Sequence, residues 1–392
     1  MGKNISRRKI LAVTGSRADF GIMKNLLSLI DKDDYLDLYL VATGMHLSKN
    51  FGFTFDEIKK SGFDVSCKIE SLLDADNSVG ISKSVALGII GFADVLENVQ
   101  PDLVLVLGDR FEILPAAISA MFAKIPIAHI HGGEITEGSY DESIRHSITK
   151  MAHLHFVSTR DYKSNVMQLG EDPRMIHYVG SLAVEAIAKL KILSKNQLEN
   201  KLGIKFQEKS ILVTYHSVTR TKSSAKIEFE SLLNALSKFT DVTIIFTLPN
   251  ADNDNKIISN RIIEFCSIHQ NAMYYSSLGH ELYLSCMAYV NGVVGNSSSG
   301  IIEAPAFKTG IINIGDRQKG RVQSNSVINS KSNCEAITKS LKILFSNKYK
   351  NSLKNSTNPY YLRNSSMKII NILKNVNTEK LISKKFYKVR NA

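Results

Sequence analysis

The sequence is poor in cysteine and lacks a long apolar run. Its four cysteines, Cys67, Cys266, Cys286 and Cys334, are far apart and form no CxxC pair. A zinc module or a disulfide framework is therefore excluded, and we expect the reducing cytoplasm. The polar N-terminus precedes an apolar run of only four residues, 10–13, so no secretory signal is predicted. No stretch approaches the roughly 18 apolar residues of a membrane span.

The body of the chain also lacks net charge. The formal charge is +12, but residues 331–392 contain 14 Lys and Arg against two acids, whereas residues 1–330 balance at 35 basic and 35 acidic residues. The simplest interpretation of this Lys- and Asn-rich tail is a solvated helix face. The alternative is that the tail, with Phe386 and Tyr387, contacts RNA or an anionic membrane. Because the tail carries no recognition motif, we predict no nucleic-acid partner.

The 392 residues exceed one ordinary core, and short β-branched runs alternate with helical patterns. The predicted strands are 9–14, 36–42, 103–107, 127–130, 155–158 and 176–179, then 211–214, 242–247, 272–275, 289–292 and 311–314. Between the two sets lie a helical run, 182–190, and a polar linker, 194–207. The alternation predicts two doubly wound α/β units with parallel sheets. Since ligands bind at the carboxyl ends of such strands, the cleft between the units is the expected active site.

The densest group of reactive side chains follows the predicted strand 127–130. Segment 131–146, HGGEITEGSYDESIRH, holds four carboxylates, two histidines and three glycines. Glycines let the backbone approach a ligand closely. Carboxylates clustered beside Arg145 and His146 can shift one another's pKa until one serves as acid and another as base. The segment therefore predicts acid–base chemistry.

Two other strand ends in the first half carry charged residues. Segment 13–21, VTGSRADFG, opens the first helix, so its backbone N–H groups and Arg17 are candidate anion ligands. An ordinary glycine-containing turn is the equal alternative. In LGDRFE, Asp109 and Arg110 either form an ion pair that caps the next helix or line the cleft. Neither segment matches a GxGxxG dinucleotide motif or a Walker motif.

The strongest local signal in the second half is segment 294–305, VGNSSSGIIEAP. A strand runs into a serine- and glycine-rich turn and then a helix, which suits a diphosphate. Glu303 can accept hydrogen bonds from ribose hydroxyls. The alternative is a serine N-cap on an ordinary helix. Two further strand ends place His216, Asn250 and Asp252 near the same rim.

Two histidine pairs have the spacing of some metal ligands. His129 with His131, and His153 with His155, place two imidazoles on one face of a strand. Neither pair has a third ligand at a suggestive spacing, although Glu134 is close. Structural or substrate-facing histidines are favoured, and we predict no metal.

Taken in order, SRADFG, LGDRFE, HGGEITEGSYDESIRH, GNSSSGIIEAP and GDRQKGR resemble the hydrolysing UDP-N-acetylglucosamine 2-epimerases of sialic acid biosynthesis. The resemblance covers nearly the whole chain. It implies the two-Rossmann GT-B architecture, with residues 1–185 on the sugar side and residues 186–369 binding the nucleotide. Residues 370–392 should pack back onto the first domain. It further implies a nucleotide-sugar substrate, no metal or organic cofactor, and a homo-oligomer, either a dimer or a tetramer.

The implied reaction converts UDP-GlcNAc and water to UDP and N-acetylmannosamine. UDP leaves by anti elimination to give a 2-acetamidoglucal, and water then adds to the alkene. By motif position, the implied catalytic residues are Asp109, Glu134, Asp141, Glu142 and His216. The implied substrate-binding residues are Arg17, Arg110, Arg145, Asn250, Asp252, Ser298, Ser299, Glu303 and Arg317.

Two alternatives share this architecture. Related 2-epimerases act on UDP- or GDP-linked 2,4-diacetamido-2,4,6-trideoxyhexoses in legionaminic acid synthesis, and the pocket around sugar C4 and C6 decides between the substrates. A GT-B glycosyltransferase shares the fold and the serine-rich turn. It needs an acceptor pocket, however, and does not need three carboxylates around C1 and C2.

Overall fold

The computed structural model describes residues 7–49, 52–73, 77–137, 140–216, 224–249 and 255–389. The chain divides into two compact units. Unit 1 comprises Met1–Glu134, Tyr140–Ala186 and Tyr360–Ala392, and unit 2 comprises Ile135–Ser139 and Ile187–Pro359. Each unit contains one parallel sheet with helices, so the predicted two-unit α/β fold is confirmed.

Unit 1 is built on a seven-stranded sheet. Its strands are β1 (Arg8–Thr14), β2 (Leu36–Thr43), β3 (Cys67–Ile69), β4 (Leu103–Leu107), β5 (Ile127–Ile130), β6 (Leu154–Val157) and β7 (Ile176–Tyr178). They pair in the order β3-β2-β1-β4-β5-β6-β7, and every pair is parallel. The helices between them are α1 (Arg17–Asp31), α2 (Phe55–Lys60), α3 (Ser78–Val99), α4 (Leu114–Phe122), α5 (Asp141–Met151), α6 (Arg160–Gln168) and α7 (Leu182–Lys189).

The apolar strand sequences follow from burial on both faces of this sheet. In β1, Ile10 and Ala12 belong to one buried core, while Leu11 and Val13 belong to another. Successive side chains of a strand point to opposite faces. Because helices cover both faces, both sets must be apolar, which explains the continuous β-branched runs.

Unit 2 repeats the arrangement with six strands. These are β8 (Lys209–Thr214), β9 (Val242–Thr247), β10 (Ala272–Tyr275), β11 (Gly292–Gly295), β12 (Gly310–Ile314) and β13 (Val327–Ser330), in the order β10-β9-β8-β11-β12-β13. Its helices are α8 (Lys195–Leu202), α9 (Ser224–Leu236), α10 (Asn255–Ile268), α11 (Gly279–Tyr289), α12 (Ser298–Ile302), α13 (Cys334–Leu344) and α14 (Asn347–Leu353). The strand order reverses between β8 and β11, as it does between β1 and β4 in unit 1. In sheets of this kind, ligands bind beside such reversals.

The last helices belong to unit 1. They are α15 (Ser365–Asn375) and α16 (Thr378–Leu381). Ile369, Ile370 and Leu373 of α15 are buried in the core that also contains Ile10 and Ala12. The end of the chain therefore contributes to the core of unit 1.

Several local predictions were wrong. The predicted linker 194–207 contains α8, which begins with a capping box between Ser194 and Gln197. The predicted strand 289–292 was misplaced, because Tyr289 ends α11 and the strand is β11. β3 and β13 were missed because both are short edge strands with partly exposed residues.

α3 is the one helix in the described ranges that is long and apolar enough to cross a membrane by length and composition. Its best 18-residue window has a mean hydropathy of 1.7, and 28% of that window is buried. The expectation that no stretch approaches such a span was therefore too strict. Phe92 and Leu96 of α3 are buried, and the helix packs against α4 and β3. It is accordingly a helix of unit 1.

Candidate functional site

The carboxyl end of β4 carries the first predicted acid. Gly108 follows the strand with a φ of +79°, and its carbonyl accepts a hydrogen bond from the His129 ring at 2.7 Å. Asp109 comes next and forms a salt bridge with Arg145. The Asp109 side chain is 23% exposed, whereas the Arg145 side chain is 1% exposed. The carboxylate is therefore reachable, and its cationic partner is not.

Arg145 lies on α5 and connects two strand-end loops. One guanidinium nitrogen donates to the Glu134 carbonyl oxygen at 2.7 Å, and another pairs with Asp109. A buried guanidinium needs acceptors and a compensating charge, so these contacts fix its position. We call Asp109, Glu134 and Arg145 the acid cluster. The structure brings these three predicted residues together within unit 1.

The Glu134 side chain is buried, and the residue before it has a backbone conformation that requires glycine. Glu134 is 4% exposed, and its Oε1 accepts a hydrogen bond from the Ser158 hydroxyl at 3.0 Å. The Nδ1 of His131 lies 3.9 Å from the same oxygen. Gly133 has a φ of +77°, and a Cβ there would lie 2.6 Å from the Tyr162 carbonyl oxygen. Only glycine fits this position without displacing the neighbouring helix.

Asp141 and Glu142 form the first turn of α5, where the helix dipole favours carboxylates. Both are half-buried. Oε1 of Glu142 lies 3.8 Å from Nε2 of His146, one turn further along the helix. Burial, and then the charge of Arg145, lower the pKa of His146. The helix therefore presents two carboxylates and a neutral imidazole beside the acid cluster.

Arg110 is held by an acid that the sequence analysis missed. Its guanidinium forms two hydrogen bonds with the Glu112 carboxylate, each of 3.1 Å. Glu112 is 4% exposed, and burial raises its pKa while Arg110 opposes the rise. A Cβ on Gly44 would lie 2.7 Å from Cγ of Glu112. Of the two alternatives for Asp109 and Arg110, an ion pair that caps the next helix is wrong, because α4 follows Ile113 without any side-chain cap.

In the turn between β1 and α1, two backbone N–H groups already donate to a carboxylate of the protein. Ser16 caps α1 in a capping box with Asp19, whose carboxylate accepts from the N–H groups of Gly15 at 2.9 Å and Ser16 at 3.0 Å. The N–H groups of Gly15 and Ser16 are therefore bound within the protein, which favours the alternative of an ordinary turn. The Arg17 side chain remains 29% exposed, with Glu57 at 3.5 Å. Such a solvent-exposed pair is weak, so Arg17 can still turn to a ligand.

In unit 2, Asn296 connects the ends of β8 and β11. Its side-chain amide accepts from the N–H of His216 and donates to the carbonyl of His216, both at 2.8 Å. The Asn296 carbonyl accepts from Arg317 at 3.0 Å and from the Gln318 amide at 2.9 Å. One fully buried asparagine thus positions two predicted residues. We call His216, Asn296, Ser299 and Arg317 the amide cluster.

The serine-rich turn after β11 completes this rim. Ser297 is the N-cap of α12 and accepts from the Ser299 N–H at 3.4 Å. The Ser299 hydroxyl lies 2.6 Å from the Tyr283 hydroxyl and 3.0 Å from the Ser297 hydroxyl. The serine-cap alternative is therefore confirmed for Ser297. Ser298 and Ser299 are the first two residues of a helix only five residues long.

Glu303 lies one helical turn after Ser299. Its backbone N–H donates to the Ser299 carbonyl at 2.8 Å. Its side chain is buried, and burial raises its pKa to about 7. A carboxyl group that titrates near neutrality at the end of a parallel sheet is a candidate functional group.

The histidine pairs are not arranged as predicted. His129 lies in β5 whereas His131 follows the strand with a φ of +66°, and His153 precedes β6 whereas His155 lies within it. The expected placement of two imidazoles on one strand face is therefore wrong. Both ring nitrogens of His129 are hydrogen-bonded to protein oxygens, at 2.7 and 3.2 Å, and burial lowers its pKa to about 3. In the part of the chain that the structure describes, no three His, Cys, Asp or Glu side chains could hold a metal ion.

Most residues of the two clusters were predicted, but the side chains that support them were not. Asn250 and Asp252 lie outside the described residues. Sequence reasoning missed four supporting side chains: Glu112, Ser158, Tyr283 and Asn296. The only available signal was that Glu112 and Asn296 stand inside motifs already identified. The other two act through contacts between distant segments.

The fold and the two clusters define an α/β protein of the GT-B class with carboxylates at one sheet and amides and hydroxyls at the other. The family model for UDP-N-acetylglucosamine 2-epimerase matches residues 29–374. The chain belongs to this family, so the family prediction is confirmed. Its general reaction is hydrolysing 2-epimerisation of a nucleotide sugar.

Individual relatives refine the comparison. The chain is 40% identical to the GDP/UDP-N,N'-diacetylbacillosamine 2-epimerase (hydrolyzing) of Campylobacter jejuni, over 97% of this chain and 99% of the relative. It is 39% identical to the polysialic acid biosynthesis protein P7 of Escherichia coli, over 94% of each. A putative UDP-N-acetylglucosamine 2-epimerase from Listeria monocytogenes has a similar crystal structure. The TM-score is 0.81 at 18% identity, with 98% of this chain and 100% of the other covered, so the fold is shared.

Proposed function

We propose that this enzyme hydrolyses a nucleotide-linked 2-acetamido sugar with inversion at C2, and that the acid cluster performs the chemistry. The contact of Arg145 with both Asp109 and the Glu134 loop carries the proposal. It joins the Asp109 carboxylate and the backbone of the loop that carries Glu134 to one buried cation at the end of a parallel sheet. Acid–base catalysis at a sugar carbon needs such positioned carboxylates.

The C2 hydrogen of the substrate is not acidic, so cleavage of the C1–O bond must lead. The nucleotide leaves with the bonding electron pair, and nearby carboxylates stabilise the positive charge that develops at C1. A carboxylate then takes the C2 proton, which gives a 2-acetamidoglucal. Water adds its hydroxyl to C1, and a protonated partner returns a proton to C2 from the opposite face.

Asp109, Glu134 and Asp141 are the proposed acid–base residues, with Glu142 as the neighbour of Asp141. Arg145 positions Asp109 and the Glu134 loop, and Arg110, held by Glu112, contacts the sugar or its leaving group. These roles draw on the burial of Glu134 and on the placement of Asp141 at the start of the helix that carries Arg145.

The amide cluster is the proposed nucleotide site. Arg317 supplies a positive charge for the diphosphate, and Ser298 and Ser299 supply hydroxyl donors. His216, whose backbone is pinned by Asn296, faces the leaving group. Glu303 is the proposed acceptor for the ribose hydroxyls.

The favoured substrate is a UDP- or GDP-linked 2,4-diacetamido-2,4,6-trideoxyhexose. The support is the 40% identity, over nearly both whole chains, to a relative named for that sugar. UDP-GlcNAc is the second candidate, because the family model that matches the chain is described by that substrate. With UDP-GlcNAc, the product would be N-acetylmannosamine.

One assay separates these possibilities. The enzyme is incubated with each sugar nucleotide alone, without an acceptor, and free nucleotide and free 2-epimer are quantified. We expect equal amounts of both, with a higher kcat/KM for the diacetamido sugar nucleotides. A higher kcat/KM for UDP-GlcNAc would select the second candidate. Nucleotide release only after an acceptor is added would identify a glycosyltransferase and overturn the proposal.

A homo-oligomer is the other part of the proposal, supported by the apolar outer surface of unit 1. Leu87 and Ile90 on α3 are 41% and 62% exposed, and Phe122 on α4 is 75% exposed. Apolar patches of this kind are typical of protein interfaces. Sedimentation should show a dimer or tetramer that Ile90→Lys weakens. The matched variant Ile227→Lys, at an equally exposed isoleucine of unit 2, should leave the oligomer unchanged.

A further inference from the structure

A group of charges surrounds a buried carboxylate at the end of α5 opposite to Asp141. Glu171 follows α6 and is 2% exposed. Its carboxylate binds Lys150 of α5 at 2.5 Å, Lys384 of the C-terminal segment at 2.7 Å and the His155 ring at 3.1 Å. Burial alone would raise the pKa of Glu171, but hydrogen bonds from His155 and the two lysines lower it to about 2. We call these four residues the Glu171 cluster.

Lys384 also completes the C-terminal end of α5. Its ammonium donates to the carbonyl oxygens of Lys150 at 2.6 Å and Ala152 at 2.7 Å. The last carbonyls of a helix have no partner within the helix, and the helix dipole makes that end negative. A cation bound there satisfies both needs. Lys384 is thus tied to the helix and to Glu171 at the same time.

The residues after Lys384 follow the same surface. The Tyr387 N–H donates to the Gly170 carbonyl at 2.8 Å, and the Phe386 ring covers Gly170. A Cβ on Gly170 would lie 2.3 Å from that ring. The Lys150 ammonium lies 5.4 Å from the centre of the Phe386 ring. The tail that sequence alone left as a solvated face is therefore docked on unit 1 at this point.

We infer that Lys384 is a positioning residue for the 2-epimerase reaction, an inference that rests on the proposed role of the acid cluster. Lys384 fixes the C-terminal end of α5, and α5 carries Arg145. Lys150 is only five positions after Arg145 in α5, roughly 7.5 Å along the helix axis. A shift of the helix is therefore transmitted to Arg145, to the Asp109 carboxylate and to the Glu134 loop that it contacts.

The expected defect is specific. Catalysis requires the acid cluster in its productive geometry, and a misplacement of about 1 Å costs on the order of 10²-fold in rate. The nucleotide is proposed to bind through unit 2, whereas the partners of Lys384 named above belong to unit 1. Loss of the contacts of Lys384 with α5 and Glu171 should therefore lower kcat at least about 10-fold and change KM less than about 3-fold.

The test compares Lys384→Met with Lys384→Arg, and Lys388→Met is the matched control. Lys388 is an exposed lysine of the same tail. We expect K384M to lose kcat, K384R to recover most of it, and K388M to behave as wild type. Amide hydrogen exchange in the last turn of α5 should rise in K384M alone. Should K384M fail to fold, Glu171→Gln removes the carboxylate charge that pairs with Lys384. The kcat, the KM and the hydrogen exchange of α5 are then measured for this variant instead.

Wild-type kcat in K384M, or unchanged exchange in α5 despite a lower kcat, would overturn the inference. Equal losses in K384M and K388M would also overturn it, because the tail would then act without this contact. If the wild-type enzyme released no nucleotide from any substrate, the proposed function would fail. The exchange comparison would still show whether Lys384 holds α5.

Discussion

The carboxyl ends of the two sheets carry different kinds of side chain, although the strand orders of the two sheets correspond. At the end of the unit 1 sheet, charges dominate: Asp109 pairs with Arg145, and Arg110 pairs with Glu112. At the end of the unit 2 sheet, neutral amides and hydroxyls centre on Asn296, and Arg317 adds one positive charge. A reaction that moves protons needs titratable groups, whereas binding needs fixed donors and acceptors. The difference supports the proposal that the acid cluster of unit 1 transfers protons and that the amide cluster of unit 2 binds the nucleotide.

Two buried carboxyl groups, Glu171 in unit 1 and Glu303 in unit 2, have pKa values shifted in opposite directions. Cations surround Glu171 in unit 1, and its pKa falls to about 2. Glu303 in unit 2 is buried without a compensating cation among the causes of its shift, and its pKa rises to about 7. The surroundings of Glu171 therefore stabilise its anion, while those of Glu303 destabilise the anion.

The largest effect is expected on kcat, for variants of the residues that are proposed to transfer protons. Asp109→Asn and Glu134→Gln should each lower kcat by about 10²–10⁴-fold, because a positioned acid or base is lost while the side-chain shape is kept. UDP affinity should stay nearly unchanged, since the nucleotide is proposed to bind in unit 2. Steady-state kinetics measures kcat, and calorimetry measures the affinity for UDP. Glu137→Gln, the same change in the same segment, is the control, and near wild-type kcat in either variant would remove that residue from the mechanism.

A smaller effect is expected at the amide cluster. Ser299→Ala and Glu303→Ala should weaken UDP binding by about 1–3 kcal/mol each, because hydrogen bonds to the diphosphate and ribose are lost. Glu281→Gln, at an exposed glutamate of the same unit, should have no effect. Calorimetry with UDP measures all three. Unchanged affinity in both test variants would restrict the serines to their capping role and break the proposed division between the units.

The pH dependence of stability should have opposite signs at Glu303 and at Glu171. The Glu303 pKa is raised in the folded state, so its favourable contribution is complete below the ordinary glutamate pKa of 4.5 and is lost as pH rises through about 7. The loss is about 3 kcal/mol. The Glu171 pKa is lowered, so its contribution is present above 4.5 and is lost as pH falls towards 2.

Denaturant unfolding across pH tests both signs. Glu303→Gln should raise stability relative to wild type at pH 8 and leave it nearly equal at pH 4. Glu171→Gln should destabilise the protein at pH 7, with a difference that shrinks as the pH is lowered. A destabilising effect of Glu303→Gln at pH 8 would mean that a cation in unit 2 compensates the Glu303 charge.

The sequence predicted well what depends on local pattern. Strong alternation placed most central strands, and the motifs after β4, β5 and β11 contained Asp109, Glu134 and Ser299. It failed where distant segments meet. Nothing in the local sequence shows that Asn296 fixes His216, that Glu112 needs glycine at residue 44, or that Lys384 reaches Glu171. These contacts depend on tertiary packing, which a single sequence does not reveal.

The most direct test of the account is the origin of the atoms in the product. Turnover in deuterated, ¹⁸O-labelled water, followed by mass spectrometry and NMR of the released sugar, reads both sites of the elimination and hydration. The account predicts deuterium at C2 and solvent oxygen at C1, because a carboxylate removes the original proton and the glycosidic oxygen leaves with the nucleotide. Retention of the original hydrogen at C2 would contradict it and remove the acid cluster from C2 chemistry.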